Sequence, residues 1–279
     1  MNSRILYGLL AVVLLAGASA CCFTYDAGTR HLNGRNQVGI VAHRGYWNCE
    51  EAGYAKNSIV ALRCAQENRF WGSEFDVNMT ADGVLLVYHD SYIGDKLIED
   101  YPYSEFKDVR IANGEPIPTL DQYLEQGKKS PRTMLVYEMK PHSSPEAEDR
   151  FIELTIQKLK EYRMLNPRRV MFISFSHHIC MRMAELLPDF TVQYLEGDKT
   201  PAELKAEGIH GLDYSYKVLY EHPEWAEEAR ELDMTTNSWT VNTDEDITRI
   251  ISQRIMYITT DYPLETRRLL KENRRREVR

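Results

Sequence analysis

Glu74 and Asp76 stand two residues apart in the run Phe-Trp-Gly-Ser-Glu-Phe-Asp-Val-Asn-Met. Side chains alternate faces along an extended strand, so both carboxylates point the same way. Val77, Leu85, Leu86 and Val87 mark their surroundings as core. Two carboxylates on one partly buried face lose hydration and repel each other unless a cation joins them. A hard divalent ion such as Ca²⁺ or Mg²⁺ is the natural partner, because both take oxygen ligands. A second apolar run, 84–87, delivers His89 at its end, followed by Asp90. An imidazole there titrates near neutral pH and is placed for proton transfer. His43-Arg44-Gly45 and Glu138-Met139-Lys140 each close a further apolar run. Glu138 and Lys140, two apart, share one strand face and can pair with each other.

These groups need elements to carry them. Strands are expected at 38–42, 133–139, 170–175, 191–195, 235–241 and 255–260. Helical spacing is expected over 58–68 behind an Asn57 cap, 120–126 behind Thr119, and 146–162, 179–187, 201–207, 223–231, 244–252 and 264–272. Strands alternating with helices imply a parallel sheet. The two strands of the 70–90 stretch and an extended run at 208–214 bring the count to nine, one more than an eight-stranded barrel needs. The 208–214 run is the weakest of them. The Asp82-Gly83 turn is too short for a crossover helix, so a barrel must be irregular there. Residues 92–114, polar and aperiodic, read as a small insertion after the third strand. His43, Glu74, Asp76, His89, Glu138, Lys140, Trp239 and Asp261 all fall where strands end, as catalytic groups do in a (β/α)₈ barrel. The expected fold is therefore α/β, an irregular (β/α)₈ barrel over 37–272.

Composition narrows the partners. The formal net charge of −8 over 279 residues argues against nucleic acid, or an anionic membrane held by bulk electrostatics. Arg4, the apolar run 5–15 and Ala18-Ser19-Ala20 read as a secretory signal over 1–22. Cys21 directly after it resembles the lipidated cysteine of a bacterial lipoprotein, although Ala18 stands where a branched apolar residue is usual. The expectation is an exported protein, periplasmic or on the outer membrane or cell surface, touching membrane only through that N-terminal lipid anchor. Plain secretion is one alternative and a retained membrane anchor the other, although the apolar run is short for a span. A polar linker over 23–36 precedes the barrel, and 273–279 reads as a solvated basic tail. Cys49, Cys64 and Cys180 are an odd set; Cys49 with Cys64 can form a disulfide, but packing is the expected role.

Taken in order, several short motifs share a family look. They are His43-Arg44-Gly45, Asn57-Ser58, Glu74-Phe75-Asp76-Val77, Thr80 with Asp82-Gly83, His89-Asp90, Glu138-Met139-Lys140, Ser174-Phe175, Trp239-Thr240-Val241-Asn242 and Thr260-Asp261-Tyr262-Pro263. Each alone is weak; the ordered set, spanning 38–263, resembles the glycerophosphodiester phosphodiesterase family. The resemblance implies an irregular (β/α)₈ barrel that hydrolyses a small-molecule glycerophosphodiester to glycerol 3-phosphate and an alcohol. It implies that Glu74, Asp76 and Glu138 hold one divalent metal ion, Ca²⁺ or Mg²⁺. His43 and His89 would be the acid–base pair, and Arg44 and Lys140 would contact the phosphate. Trp239 is a rim aromatic or a substrate platform, and Asp261 is expected to fix a loop. His177 and His178, just after Ser174-Phe175, are expected to cap a helix or face solvent.

One position departs from the family pattern: Lys56-Asn57-Ser58 stands where Glu-Asn-Thr is usual. Lys56 would change the metal environment, add a phosphate contact, or swing into solvent. Two rival functions follow. A phospholipase-type lyase on the same barrel would release a cyclic phosphate, but needs an apolar approach surface that the polar 92–114 insert does not suggest. A catalytically silent phosphodiester-binding protein, with Lys56 as its lesion, has no need of two histidines.

Overall fold

The structure, a computed structural model, describes residues 37–209 and 211–279. The expected signal sequence, Cys21 and the 23–36 linker lie outside the described residues. Twelve strands are described: β1 (Gln37–Ala42), β2 (Gly72–Met79), β3 (Leu85–Val87), β4 (Tyr92–Ile93), β5 (Lys96–Leu97), β6 (Met134–Met139), β7 (Val170–Ser174), β8 (Val192–Tyr194), β9 (Gly211–Ser215), β10 (Thr235–Trp239), β11 (Tyr257–Thr260) and β12 (Arg276–Val278). Between them run α1 (Ile59–Glu67), α2 (Leu120–Lys128), α3 (Pro145–Glu161), α4 (His177–Leu186), α5 (Pro201–Ala206), α6 (Tyr216–Glu221), α7 (Trp225–Glu231), α8 (Asp244–Ser252) and α9 (Pro263–Glu272).

Eight parallel strands close into a ring in the order β1-β2-β6-β7-β8-β9-β10-β11, with β1 paired to both β2 and β11. The expected irregular (β/α)₈ barrel is the observed fold. The surplus strand is β3, which runs antiparallel beside β2 with Val77 opposite Val87. The weak run at 208–214 is instead a full barrel strand, β9, in register with β10 over five residues. Its pattern was faint because only Leu212 and Tyr214 face the apolar shell, while the alternate positions are Gly211, Asp213 and Ser215.

Alternation also divides the core in two. The outward side chains of β2 and β6 pack under the helices, where the Phe75 ring stacks on Tyr123 at 4.4 Å. Inward, Trp71 stacks on Tyr257 at 4.0 Å and, with Val41, Met134, Val136 and Met171, plugs the lower barrel. Gly39 makes room for that pair: a Cβ there would lie 2.8 Å from the Tyr257 ring and 3.0 Å from Trp71. The plug forces polar inward positions to the upper end, where they form a site.

Two local expectations change. Ser58, not Asn57, caps α1 by accepting from the Ala61 amide at 2.9 Å. Residues 273–279 do not form a free tail: Arg276–Val278 pair with β1 beside Gln37–Gly39, Val278 is buried, and Glu277 pairs with Arg267 at 2.6 Å. This strand covers the lower β1 edge that β2 leaves open. The 92–114 insert carries the β4–β5 hairpin and packs Ile98 and Phe106 on Leu86 and Ile117. Asp82 pins it, accepting from the Thr80 hydroxyl at 2.6 Å and the Tyr103 amide at 2.9 Å. Cys49, Cys64 and Cys180 are free and buried; burial and the adjacent Cys49 push the Cys64 thiol up to about 12. Among the described residues no helix is long and apolar enough to cross a membrane.

Candidate active site

β2 is buried along its whole length, so its inward carboxylates are withdrawn from water. Glu74 is 2% exposed, Asp76 1% and Glu138, on the neighbouring β6, 8%. One oxygen from each can be chosen so that all three lie within 4.8 Å of one another. Lys140, two residues beyond Glu138, donates to Glu138 Oε1 at 2.6 Å and to Asp76 Oδ1 at 3.1 Å. Asn57, turned inward by its left-handed backbone (φ 58), donates to Asp76 Oδ2 at 2.9 Å and accepts from the Asp76 amide.

The charges are unequally served. Burial and the Asp76 and Glu138 charges raise the Glu74 carboxyl well above the carboxylate range. Burial and Asp76 push Glu138 up to about 7, against the pull of Lys140. Burial alone would raise Asp76 too, but Lys140, His89 and Arg44 outweigh it and hold it at about 2. Glu74 Oε1 is buried without a hydrogen-bond partner. Such an atom costs free energy unless something joins it. Three close carboxylates, one with an orphaned oxygen and two with raised proton affinity, are the donor set a hard divalent cation requires.

The His43-Arg44-Gly45 turn sits directly above. Arg44 and Gly45 are both left-handed (φ 55 and 77), a conformation costly for arginine and typical of strained functional turns. It aims the Arg44 amide at Glu74 Oε2 (2.6 Å) and the Gly45 amide at the Glu74 carbonyl (2.9 Å). Gly45 is required, since a Cβ would lie 2.7 Å from that of Ala61. The Arg44 side chain approaches Asp76 Oδ2 at 3.6 Å and His43 Nε2 at 3.2 Å. His43 Nδ1 meets Asp261 Oδ1 at 2.8 Å. An ionised carboxylate only accepts and a guanidinium only donates, so this pair of partners puts the proton on Nδ1 and leaves Nε2 bare.

Asp261 does more than fix a loop. It also accepts from Trp47 Nε1 (2.8 Å, at Oδ1) and Asn242 Nδ2 (2.8 Å, at Oδ2), while its amide donates to Asn242 Oδ1. Burial would raise it; the donors His43, Trp47 and Asn242 prevail and hold it at about 2. His89 repeats the arrangement at the rim, its Nδ1 2.6 Å from Asp90 Oδ1. Burial, with Lys140 and Arg44 nearby, lowers the His89 imidazole despite Asp76.

His43, Arg44, Glu74, His89 and Glu138 line one cavity, and Trp239 stands on its far side. Lys140 adjoins them but is engaged by two carboxylates rather than standing free for a phosphate. Lys56 is exposed and lies 4.6 Å above the Trp47 ring, away from the carboxylates. His177 and His178 lie outside the cavity, paired with Glu207 and Asp149 at the start of α4. Sequence reasoning missed Asp213, which lines the cavity from β9, and the contact of Asn57 with Asp76. The Trp-Thr-Val-Asn and Thr-Asp-Tyr-Pro motifs did carry a signal for the His43–Asp261–Asn242 chain, but not its connectivity.

Known proteins resemble this chain in sequence and fold. A glycerophosphodiester phosphodiesterase from Parabacteroides distasonis is 42% identical, with a TM-score of 0.82 covering 86% of this chain and 99% of that one. A phosphodiesterase from Oleispira antarctica, solved with the product sn-glycerol-3-phosphate, shares the fold at 21% identity, with a TM-score of 0.70 covering 84% of this chain and 96% of that one. The glycerophosphodiester phosphodiesterase of Caldanaerobacter subterraneus is 26% identical over 80% of this chain and 94% of its own length. Residues 43–265 match the Glycerophosphoryl diester phosphodiesterase family, and with that match over most of its length the chain belongs to this family of phosphoric diester hydrolases.

Proposed function

We propose that the protein hydrolyses glycerophosphodiesters to glycerol 3-phosphate and an alcohol, with one divalent cation held by Glu74, Asp76 and Glu138. The observation that carries this is the buried carboxylate triad with its orphaned Glu74 Oε1, flanked by two histidines that each present Nδ1 to an aspartate. The Parabacteroides and Oleispira proteins support the substrate class. A bound cation would neutralise charge growing on the phosphoryl oxygens.

The chain's own residues do the rest. Arg44 sets its guanidinium beside the triad, where it faces a phosphoryl oxygen. His43 and His89 exchange protons with the attacking oxygen and the departing alkoxide. His43 must hold a second proton at one stage whichever role it takes, and Asp261 stabilises that imidazolium. The His89 side chain is 39% exposed against 16% for His43, which places His89 toward the mouth. Lys56, away from the triad, gives no support to a silent binding protein.

The test is glycerol 3-phosphate release from esters of choline, ethanolamine, glycerol and inositol, with added Mg²⁺ or Ca²⁺ and then chelator. Release that stops on chelation is expected. Activity that persists after exhaustive chelation would refute the cation, and a cyclic phosphate as sole product by ³¹P NMR would assign a lyase instead.

We extend the proposal to place. The 5–15 apolar run, Ala18-Ser19-Ala20 and Cys21 support export and lipidation at Cys21. There the enzyme would salvage head groups from deacylated lipids. Labelled palmitate should enter the wild-type protein and not Cys21→Ala; equal labelling of both would refute the anchor.

A further inference from the structure

The cavity has two unlike halves. The ionic half comes from β1, β2, β3 and β6. Facing it, β9 lies directly across the ring from β2. That far wall is Ile173, Phe175, Leu195 and Trp239, with Asp213, Thr240 and Thr259 as its polar members. Phe175 meets Trp239 edge to face at 5.5 Å, and the Trp239 ring is locked by its Nε1 donating to the Asp213 carbonyl at 2.9 Å. With that nitrogen engaged, the indole offers a ligand only its face.

Asp213 is 1% exposed. Its Oδ2 accepts from Asn237 Nδ2 at 3.0 Å, and Asn237 is itself tied to Thr259 at 2.9 Å. Its Oδ1 is buried with no hydrogen-bond partner. A carboxyl oxygen left bare in an aromatic wall is costly unless a ligand meets it. With the phosphate of a diester held over the triad, one of its two alcohol portions must lie against this wall.

We infer that Asp213 is a specificity-determining residue: its Oδ1 side binds a hydroxyl of the glycerol moiety, while Phe175 and Trp239 cover the carbon chain. The inference rests on the proposed diesterase reading and names the part of the substrate that this wall reads. A polyol is what the surface fits, its carbons against the apolar side chains and a hydroxyl against the unpartnered Asp213 Oδ1. Burial and the Glu138 charge raise the Asp213 carboxyl well above the usual range, which suits a neutral hydroxyl better than a cationic head group. The variable alcohol then faces His89 and the mouth.

The experiment compares phosphocholine esters of glycerol, propane-1,2-diol and propane-1,3-diol on the metal-loaded enzyme. Wild-type kcat/KM should fall about 10- to 100-fold on one diol ester, the range expected when a buried polar group loses its partner. Asp213→Ala should lose a similar factor on the glycerol ester and treat it within about threefold of that diol ester. Asp213→Leu, of similar volume, replaces it if the alanine variant fails to fold. Asp213→Asn, whose free amide still hydrogen-bonds, should retain most of the discrimination. Equal losses on all three esters, or an unchanged ratio in Asp213→Ala, would overturn the inference. So would a choline-to-glycerol head-group ratio that moves with Asp213→Ala, which would assign the carboxyl to the cation. A wild-type enzyme inactive on the glycerol ester would sink the parent proposal and this inference with it.

Discussion

Asp261→Asn removes a charge while keeping a shape, and the surrounding donors dictate how the new amide sits. In the wild type, Oδ1 accepts from both His43 Nδ1 and Trp47 Nε1, and Oδ2 accepts from Asn242 Nδ2. With the amide oxygen at the Oδ1 position, one donor, Asn242, faces the NH₂. With the NH₂ there instead, Trp47 loses its acceptor. His43 must then move its proton to Nε2, where it meets the Arg44 Nε–H at 3.2 Å. The first arrangement has one mismatched donor and the second has two, so His43 keeps its tautomer and loses only its ion partner. A hydrogen bond to a charged group contributes about 1.5–3 kcal/mol, which corresponds to roughly 10- to 150-fold in rate. Turnover of a glycerophosphodiester should therefore fall by that factor, with KM and cation affinity by calorimetry unchanged. In a His43→Ala background the same substitution should have almost no further effect, since it acts through the imidazole. A loss near 10⁴, the scale expected of a wrong tautomer, would refute the amide orientation worked out above. A loss below threefold, or equal losses with and without His43, would refute the positioning role itself.

Glu138, pushed up to about 7 by burial and Asp76, holds a proton in the folded protein that the unfolded chain, near 4.5, has released. The native state then binds more protons between those values, so cation-free stability should fall as pH rises from about 4.5 to 7, with Glu74 and Asp213, also raised by burial, acting in the same direction. A thermal melt series with chelator should show that decline, added Mg²⁺ should remove it, and a flat profile would refute the Glu138 assignment. Glu74→Gln should abolish cation binding and turnover together, whereas His89→Ala should bind the cation like wild type and lose about 10²–10⁴ in kcat; retained turnover by His89→Ala would refute its acid–base role. Gly39→Val forces a side chain between Trp71 and Tyr257 and should cost about 1–3 kcal/mol by denaturant unfolding, with an unchanged midpoint counting against the plug.

The parts legible in the sequence are those whose physics is local. Glu74 with Asp76, and Glu138 with Lys140, were readable because the period of a strand places residues two apart on one face. The Thr119 cap and the Asp82-Gly83 turn are equally short-range, and from that turn alone an irregular barrel follows. What failed needed neighbours far along the chain. The strand carrying Asp213 looked weak because its inward positions are polar, and their polarity makes sense only across the ring from Glu74. Asp261 lies 218 positions from His43, and no spacing rule joins them. The C-terminal residues looked like a solvated tail because charge density is a local quantity, while the β1 edge they cover is created only when β2 diverges from it.

Lys56 shows the same division at a single residue. A lysine replacing an acid beside a metal motif reads as a charge reversal at the site when proximity is judged along the chain. The backbone overrules that reading, because Asn57 is left-handed (φ 58). That one dihedral turns the Asn57 amide in against Asp76 and leaves the preceding side chain outside, over the Trp47 ring at 4.6 Å. Asparagine tolerates this conformation better than most residues, since its short polar side chain hydrogen-bonds locally. The residue that matters to the carboxylates is therefore Asn57, expected from the sequence only to cap a helix. Its neighbour's charge lies over Trp47, whose indole nitrogen donates to the same Asp261 that holds His43. Position 56 thus stands two contacts from the Asp261 carboxylate that holds His43.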